Sequence, residues 1–298
     1  MTNTLFSDLE RLNQEYSPSS CIEDINVYIQ QYIEQSHSAK SRADALEQLH
    51  ADLPYGDRKT QGLDLYLPIG PSQRKLMVYI HGGYWQELSK EESSFAATNY
   101  QQHGFHFAVL DYTLAPDASL TAIVEENRRA IAWLYQNAAR FGYDPEQIYI
   151  SGSSAGAHLA MMMLQTQWSE YIEGYQGSIV KGLCAVSGIY DLQPLLPSYV
   201  NDALKMDVDE AKANSPIFRS APKSVPIVMA VGDIETSEFK RQSQMMTEKL
   251  LEQGLEVQFK VIGERNHFDV ILDLADPSSW LFQQTVKLMT AKGSIDER

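Results

Sequence analysis

The sequence has little of what marks secreted or membrane-embedded chains. Its 298 residues include two cysteines, Cys21 and Cys184, too few for a disulfide framework. No run of about 18 apolar residues could span a bilayer. The first residues, MTNTLFSDLERLNQEY, lack the basic start and the apolar core of a signal peptide. We therefore expect a cytoplasmic protein that does not insert into membranes, with Cys184, in the apolar run GLCAV, as a buried small hydrophobe.

Positive charge is also scarce. The chain has 24 Lys and Arg against 39 Asp and Glu, for a formal net charge of −15. Such a surface repels phosphates, so nucleic acid and anionic membranes are not expected partners. HExxH, Walker and GxGxxG motifs are missing, and no cysteine has metal-ligand spacing, so we expect neither a metal nor an organic cofactor.

What the sequence does contain, from about residue 72 onward, is a regular alternation of short apolar segments and amphipathic helical stretches. Strand–helix alternation predicts a mostly parallel sheet that is covered by helices on both faces. The predicted strands are LDLYLP (63–68, an outer strand), KLMVYI (75–80), FHFAVLDY (105–112), QIYISG (147–152), KGLCAVSGIY (181–190), VPIVMAVG (225–232) and LEVQFKVIG (255–263). The predicted helices span 121–142, 237–254 and 278–292, and a further helix starts near Ala155.

Two regions depart from this rhythm. Residues 1–55 are polar and predicted to be helical, forming an N-terminal arm. Residues 192–224 are rich in Pro, Ser and Asp and are predicted to form a small cap or lid insertion. A chain of this length is large enough for one α/β domain, so we expect a single domain over 1–298.

The stretch GSSAG (152–156) has the pattern G-x-S-x-G, with Ser154 at its centre. It stands between a predicted strand and a predicted helix. Small residues suit a strained turn that brings two backbone segments together and exposes one hydroxyl. Ser151 and Ser153 lie off the centre and are interpreted as structural. Ser154 is therefore the predicted nucleophile.

A second glycine motif, YIHGGYW (79–85), follows another predicted strand. Its glycines let successive backbone N–H groups turn toward one point, as in an oxyanion hole that stabilises charge on a carbonyl oxygen. A plain glycine turn would explain Gly82 and Gly83, but not their position upstream of the elbow. We predict that the donors are the N–H groups of Gly83, Tyr84 and Ala155, the residue after the nucleophile.

The base is expected near the C-terminus if the chain order is Ser, acid, His. GERNHFDV (263–270) puts His267 in a loop after the last predicted strand, so His267 is the predicted base. His158 lies one helical turn beyond Ser154 and would point away from its hydroxyl. His81 is expected to support its own loop.

Two carboxylates compete for the role of triad acid. Asp233 comes directly after Gly232, where the chain is still leaving its strand, whereas Glu235 lies further into the loop and could reach the imidazole. We favour Glu235 and keep Asp233 as the alternative. The acid would hold the tautomer of His267 and stabilise its imidazolium form.

Together, HGGYW, GSSAG and NHF resemble the α/β-hydrolase superfamily, in the branch of hormone-sensitive-lipase-like esterases and arylformamidases (kynurenine formamidases). DYTLAPDASL (111–120) resembles the Tyr-x-Leu-Ala-Pro segment of that branch. EYSPSS, SGIYDLQPL, NSPIF, SEFKRQS and the Tyr-Trp of HGGYW look closer to the arylformamidases. The resemblance implies an α/β-hydrolase fold. It also implies that the acid stands two residues before Ser237, at Glu235, where family members often carry Asp.

The implied activity is hydrolysis of an N-formyl group from N-formylkynurenine, or of small aryl and acyl esters, through an acyl-enzyme. The alternatives are a promiscuous short-chain carboxylesterase and, more remotely, a catalytically silent ligand-binding protein. Tyr84, Trp85 and Tyr190 are predicted either to shape an aromatic substrate pocket or to pack at its rim. The expected partner is a small ester or formamide, and a homodimer is possible.

Overall fold

In the computed structural model, residues 8–222 and 224–291 are described, and an eight-stranded mixed sheet runs through their centre. Its order is β1-β2-β4-β3-β5-β6-β7-β8. Strand β2 is antiparallel to β1 and β4, and the other neighbours are parallel. The strands are β1 Leu49–Pro54, β2 Gly62–Tyr66, β3 Leu76–Ile80, β4 His106–Leu110, β5 Ile148–Ser153, β6 Val180–Val186, β7 Ile227–Ile234 and β8 Val257–Asn266.

Helices cover both faces of the sheet, as the alternation of strands and helices predicts. In β3, Leu76, Val78 and Ile80 belong to one hydrophobic cluster and Met77 and Tyr79 to the other, because side chains alternate between the faces of a strand. Helices α4, α5 and α8 contribute to the first cluster, and α2, α3 and α9 to the second. The helices are α1 Leu9–Glu15, α2 Asn26–Ala45, α3 Ala97–Gln102, α4 Leu120–Phe141, α5 Ala155–Leu164, α6 Asn201–Leu204, α7 Val208–Ala213, α8 Ser237–Glu252 and α9 Trp280–Thr290.

Every predicted strand is present, and the prediction of a mostly parallel sheet is confirmed. Cys184 is fully buried, as expected. Residues 1–7 of the predicted helical arm (1–55) lie outside the described residues, and α1 and α2 are present in the rest of it. The prediction is wrong at the end of the arm, where β1 forms the edge of the sheet beyond β2. Four of its six side chains are exposed, so β1 shows no apolar alternation in the sequence. The six-residue helix α3 was also not predicted, because the segment ATNYQQ is too short to show a helical period.

The interval 192–224, between β6 and β7, contains short elements rather than a long helix. They are α6, α7 and two 3₁₀ turns, Gln193–Leu195 and Pro216–Phe218. Tyr199 and Val200, from this interval, line the cavity described below. A cap or lid function for the interval stays a prediction.

The turn from β5 into α5 lies in backbone contact with the end of β3. A Cβ on Gly156 would lie 2.0 Å from the carbonyl oxygen of Ile80, and a Cβ on Gly152 would lie 2.3 Å from the carbonyl oxygen of Gly156. A Cβ on Gly82 would lie 2.9 Å from the carbonyl oxygen of Ser153. Side chains at these positions would force the strands apart, so glycine is required for the close approach.

The N-terminal helix α1 docks on the first turn of α8. The Glu15 carboxylate accepts hydrogen bonds from Ser237 Oγ at 2.7 Å and from the Glu238 N–H at 3.1 Å. The Glu15 carbonyl accepts a bond from Thr236 Oγ1 at 2.6 Å. Thr236, the N-cap of α8, makes no side-chain cap of its own, so a residue from another helix satisfies the free N–H group of this terminus.

We expect Gly156→Ala to lower the free energy of unfolding by about 2 kcal/mol, because the added methyl group overpacks the contact with Ile80. Urea denaturation measures this change. Gly263→Ala is the matched control, since a Cβ on Gly263 meets nothing within 4 Å. Equal unfolding midpoints for the two variants would contradict the close approach.

We expect Glu15→Ala to cost about 1 kcal/mol, the usual effect of removing a helix N-cap acceptor. Hydrogen exchange of the Glu238 amide should accelerate selectively, because its acceptor is removed. Gln14→Ala, on an exposed position of the same helix, is the control. Unchanged protection of the Glu238 amide in Glu15→Ala would show that α1 does not cap α8.

Candidate active site

Ser154 occupies the sharp turn between β5 and α5. Its backbone has φ of 56° and ψ of −121°, in a region that non-glycine residues rarely adopt. The Ser154 N–H donates to the Val186 carbonyl at 2.9 Å, and the Ser154 carbonyl accepts from the His158 N–H at 3.1 Å, which starts α5. The strained turn is thus fixed on one side by β6 and on the other by α5, and it holds the hydroxyl at the end of β5.

The Ser154 side chain lines a cavity of about 290 Å³. The cavity lies beyond the carboxyl ends of β3 and β5, where the chain order of the parallel strands changes direction, a common ligand site in α/β sheets. His267 and the loop from Gly82 to Tyr84 line the same cavity. The structure therefore brings three of the predicted motifs to one space.

His267 follows β8 and is 5% exposed. Its Nδ1 lies 2.7 Å from Oε2 of Glu235. The second oxygen of Glu235 accepts bonds from Ser187 Oγ and from the Gly232 N–H, both at 2.6 Å. A carboxylate held on both oxygens favours the tautomer with the proton on Nδ1, which leaves Nε2 of His267 as an acceptor.

Asp233 lies elsewhere. It belongs to the last residues of β7, its side chain is exposed, and its Oδ1 accepts a bond from the Arg265 N–H at 3.2 Å. Glu235 is the first residue beyond β7, in the short connection to α8. Of the two candidate acids, the structure brings Glu235 to His267.

The predicted oxyanion loop has an unusual backbone. Gly83, Tyr84 and Trp85 have φ values of 87°, 50° and 62°, a strained backbone for the two non-glycine residues. Ala155 is the first residue of α5, so its N–H has no intrahelical acceptor. Among the described residues, none accepts a hydrogen bond from the N–H of Gly83, Tyr84 or Ala155.

Tyr84 also connects this loop to the N-terminal segment. The Tyr84 hydroxyl donates to the Tyr16 carbonyl, which also accepts a bond from the Tyr199 hydroxyl at 3.1 Å. The Tyr16 ring is buried, and its hydroxyl donates to Glu238 Oε1 at 2.6 Å. Pro18, two residues later, lines the cavity. The arm therefore forms part of the cavity wall.

The prediction that Trp85 and Tyr190 shape the substrate pocket is wrong, since neither lines the cavity. Both side chains are fully buried. The Trp85 indole N–H donates a hydrogen bond to His158 Nδ1 at 3.2 Å. Tyr190 packs against Gly188 and Ala157, in the core under α5. Tyr84 is the one of the three that lines the cavity.

The other two buried histidines near the elbow have structural contacts. His158 lies between the Trp85 indole and the Asn214 carbonyl, which its Nε2 meets at 2.7 Å. His81 stacks on the Tyr112 ring with 4.2 Å between centroids, and its Nδ1 lies 2.9 Å from the Gly82 carbonyl. Burial lowers the pKa of both imidazoles to about 4, so both are neutral at pH 7.

Sequence reasoning missed Ser187 and most of the cavity wall. Ser187 has φ of 53° at the end of β6, and its hydroxyl orients Glu235. Ile29 and Tyr32, three residues apart on α2, were the available signal for a wall on the arm. The largely apolar part of the wall consists of Ile25, Ile29, Tyr32, Tyr79, Phe95, Phe268 and Ile271.

The described ranges 8–222 and 224–291 offer neither a metal cluster nor a membrane-spanning helix. No group of three or more His, Cys, Asp or Glu side chains within them is arranged to hold a metal ion. No helix within these ranges is long and apolar enough to cross a bilayer.

Similarity to known proteins agrees with this geometry. Residues 63–250 match the family described as BD-FAE. Kynurenine formamidase of Danio rerio is 35% identical over 288 residues, which cover 95% of each chain. That of Salmo salar is 34% identical over 94% of this chain and 96% of its own. An esterase of Pyrobaculum calidifontis has the same fold, with a TM-score of 0.69 at 18% identity over 94% of this chain and 96% of its own.

The family match covers more than half of the chain, and the two relatives align over nearly all of it. These findings confirm the predicted α/β-hydrolase fold and the resemblance on which it was based. The chain belongs to the BD-FAE family of α/β-hydrolases, and it is a hydrolytic enzyme.

Proposed function

We propose that the protein is a serine hydrolase that cleaves aryl formamides, with N-formylkynurenine as its substrate. Ser154 is the nucleophile, His267 the general base and Glu235 the acid of the triad. The observation that carries the proposal is the Glu235–His267 pair, 2.7 Å apart and anchored on both carboxylate oxygens, beside a serine at a strained turn in the same cavity. Such an arrangement suits acyl transfer.

In the first step, Nε2 of His267 takes the proton from Ser154 Oγ as this oxygen attacks the formyl carbon. The carbonyl oxygen becomes an oxyanion, which the N–H groups of Gly83, Tyr84 and Ala155 stabilise. A single donor of this kind contributes roughly 3 kcal/mol. Their lack of any acceptor among the described residues supports this role, because donors that are already placed need no rearrangement during the reaction.

The intermediate then collapses, and the C–N bond breaks. His267 returns its proton to the departing aryl amine, which leaves the formyl group as an ester on Ser154. Water, deprotonated by His267, attacks this ester and releases formate, and Ser154 regains its proton. Throughout, Glu235 stabilises the imidazolium form of His267 without taking its proton.

Two observations favour formamides over simple esters as the substrate. The two relatives reported above, at 35% and 34% identity, are named kynurenine formamidases. The cavity also has aromatic walls at Tyr32, Phe95 and Phe268, which suit an aryl leaving group. The same catalytic parts would serve a short-chain carboxylesterase, so substrate preference separates the two.

The first test concerns the triad. We expect Glu235→Gln to lower kcat by about 10³- to 10⁴-fold, because the Gln amide would donate to Nδ1 of His267 and force the wrong tautomer. Asp233→Asn is the matched control and should leave kcat within about twofold, since its side chain does not reach the imidazole. A large loss in Asp233→Asn with a small one in Glu235→Gln would reverse the assignment.

The second test concerns the substrate. We expect kcat/KM for N-formyl-L-kynurenine to exceed that for p-nitrophenyl acetate and butyrate by at least about tenfold, or 1.4 kcal/mol. Ser154→Ala, as the blank, should abolish all three activities. Rapid ester turnover with negligible formamide turnover would identify a carboxylesterase instead. Equal rates in the wild type and in Ser154→Ala would favour a silent ligand-binding protein.

A further inference from the structure

The cavity has an uneven charge. Apart from His267, the ionisable acids and bases in its lining are two carboxylates, Glu87 and Glu92, besides tyrosine hydroxyls. No Lys or Arg of the described residues lines it. A ligand that enters therefore meets negative charge beside a largely apolar wall.

Glu92 differs in its contacts from its neighbour Glu91. Glu91 points away from the cavity and forms ion pairs with Lys40 at 2.7 Å and Lys90 at 2.6 Å. Glu92 is half-buried in the cavity wall, and its Oε2 accepts a bond from Ser89 Oγ at 2.7 Å. Within residues 8–222 and 224–291, neither Glu92 nor Glu87 forms an ion pair. A half-buried carboxylate without a counter-ion favours a cationic ligand.

Aromatic rings line the same cavity as this carboxylate. Phe95, three residues after Glu92, lines the cavity with Tyr32 and Tyr79, whose ring centroids lie 5.5 Å and 5.4 Å from its own. Aromatic faces attract organic cations in addition to packing against apolar groups. Carboxylate and rings together match a ligand that is aromatic and carries an ammonium group.

The Tyr79 hydroxyl is a further polar group in this part of the cavity. The Tyr79 side chain is 3% exposed and belongs to the lining, and among the described residues its hydroxyl has no hydrogen-bond partner. A hydroxyl that lacks a protein partner at a cavity wall is available to bond to a ligand atom. This observation is independent of the acidic residues.

We propose that Glu92 binds an organic ammonium group on the leaving-group part of the substrate, with Glu87 adding negative charge at the rim. The cavity then selects aryl substrates that carry a cationic substituent over neutral and anionic ones. The proposal rests on the proposed function, because it defines the substrate class of the same site.

The test uses formanilides whose ring carries an aminoethyl, a hydroxyethyl or a carboxyethyl group, which are cationic, neutral and anionic at pH 7.5. We expect the wild type to prefer the cation over the neutral compound by about tenfold in kcat/KM, with the anion slowest. In Glu92→Gln this ratio should fall to about one, mainly through KM, because the ammonium contact is the same in ground and transition states. Glu91→Gln, the matched control, should keep the ratio.

Gln retains an acceptor for Ser89, so the local structure of the loop is preserved in Glu92→Gln. Glu92→Lys provides a second readout, since it should reverse the preference toward the anion. The wild-type preference should also weaken as the salt concentration rises. A wild type without charge preference, or a Glu92→Gln variant that keeps it, would overturn the proposal.

Failure of the proposed function would look different. In that case no formanilide of any charge would be hydrolysed. Phenyl acetates with the same three substituents then replace the formanilides, and the Glu92 comparison is repeated on ester hydrolysis. A cation preference that depends on Glu92 in this series would support the inference for an esterase, and its absence would overturn it.

Discussion

The site depends on close backbone contact between two segments, with a glycine on one side of each contact. Gly156 lies against the Ile80 carbonyl and Gly82 against the Ser153 carbonyl. This contact fixes the turn at Ser154 relative to the loop after β3, so that the hydroxyl and the N–H groups of Gly83 and Tyr84 reach one cavity. Because β7 and β8 are parallel, their carboxyl ends lie on the same side of the sheet, and this places Glu235 beside His267.

The sequence predicts the parts of the site that require particular small or ionisable residues at fixed places. GSSAG was predictable because only small residues fit the turn at Ser154. Glu235 was favoured over Asp233 because Asp233 still lies within its strand, whereas Glu235 lies beyond it. The direction in which a side chain points could not be predicted from the sequence. Trp85 follows the same loop as Tyr84 but points into the core, since three left-handed residues in a row decide its orientation. Likewise, β1 gave no signal because its pairing with β2 leaves most of its side chains in solvent.

The N-terminal arm is coupled to the proposed catalytic groups at two places. Glu15 caps α8, which begins two residues after Glu235, so the cap holds the chain where it leaves the acid. The Tyr16 carbonyl accepts a hydrogen bond from the Tyr84 hydroxyl, and it thereby anchors the side chain of a residue whose N–H is a proposed oxyanion donor. Because catalytic geometry tolerates little displacement, a segment remote in sequence contributes to positioning without touching the reacting atoms.

The acidity of the cavity follows from a constraint outside it. Asp64, on β2, is fully buried, and a buried carboxylate needs cations close by. Lys90 lies 3.0 Å from it and Lys40 2.9 Å from it, and both also pair with Glu91. Lys40 and Lys90, the two cations near the segment that carries Glu92, are therefore paired with Asp64 and Glu91 and do not line the cavity. Lys40 and Lys90 neutralise the buried Asp64 carboxylate on β2, so the nearby Glu92 carboxylate is left without a cation. The negative charge that we propose selects the ligand is thus a consequence of how β2 is packed.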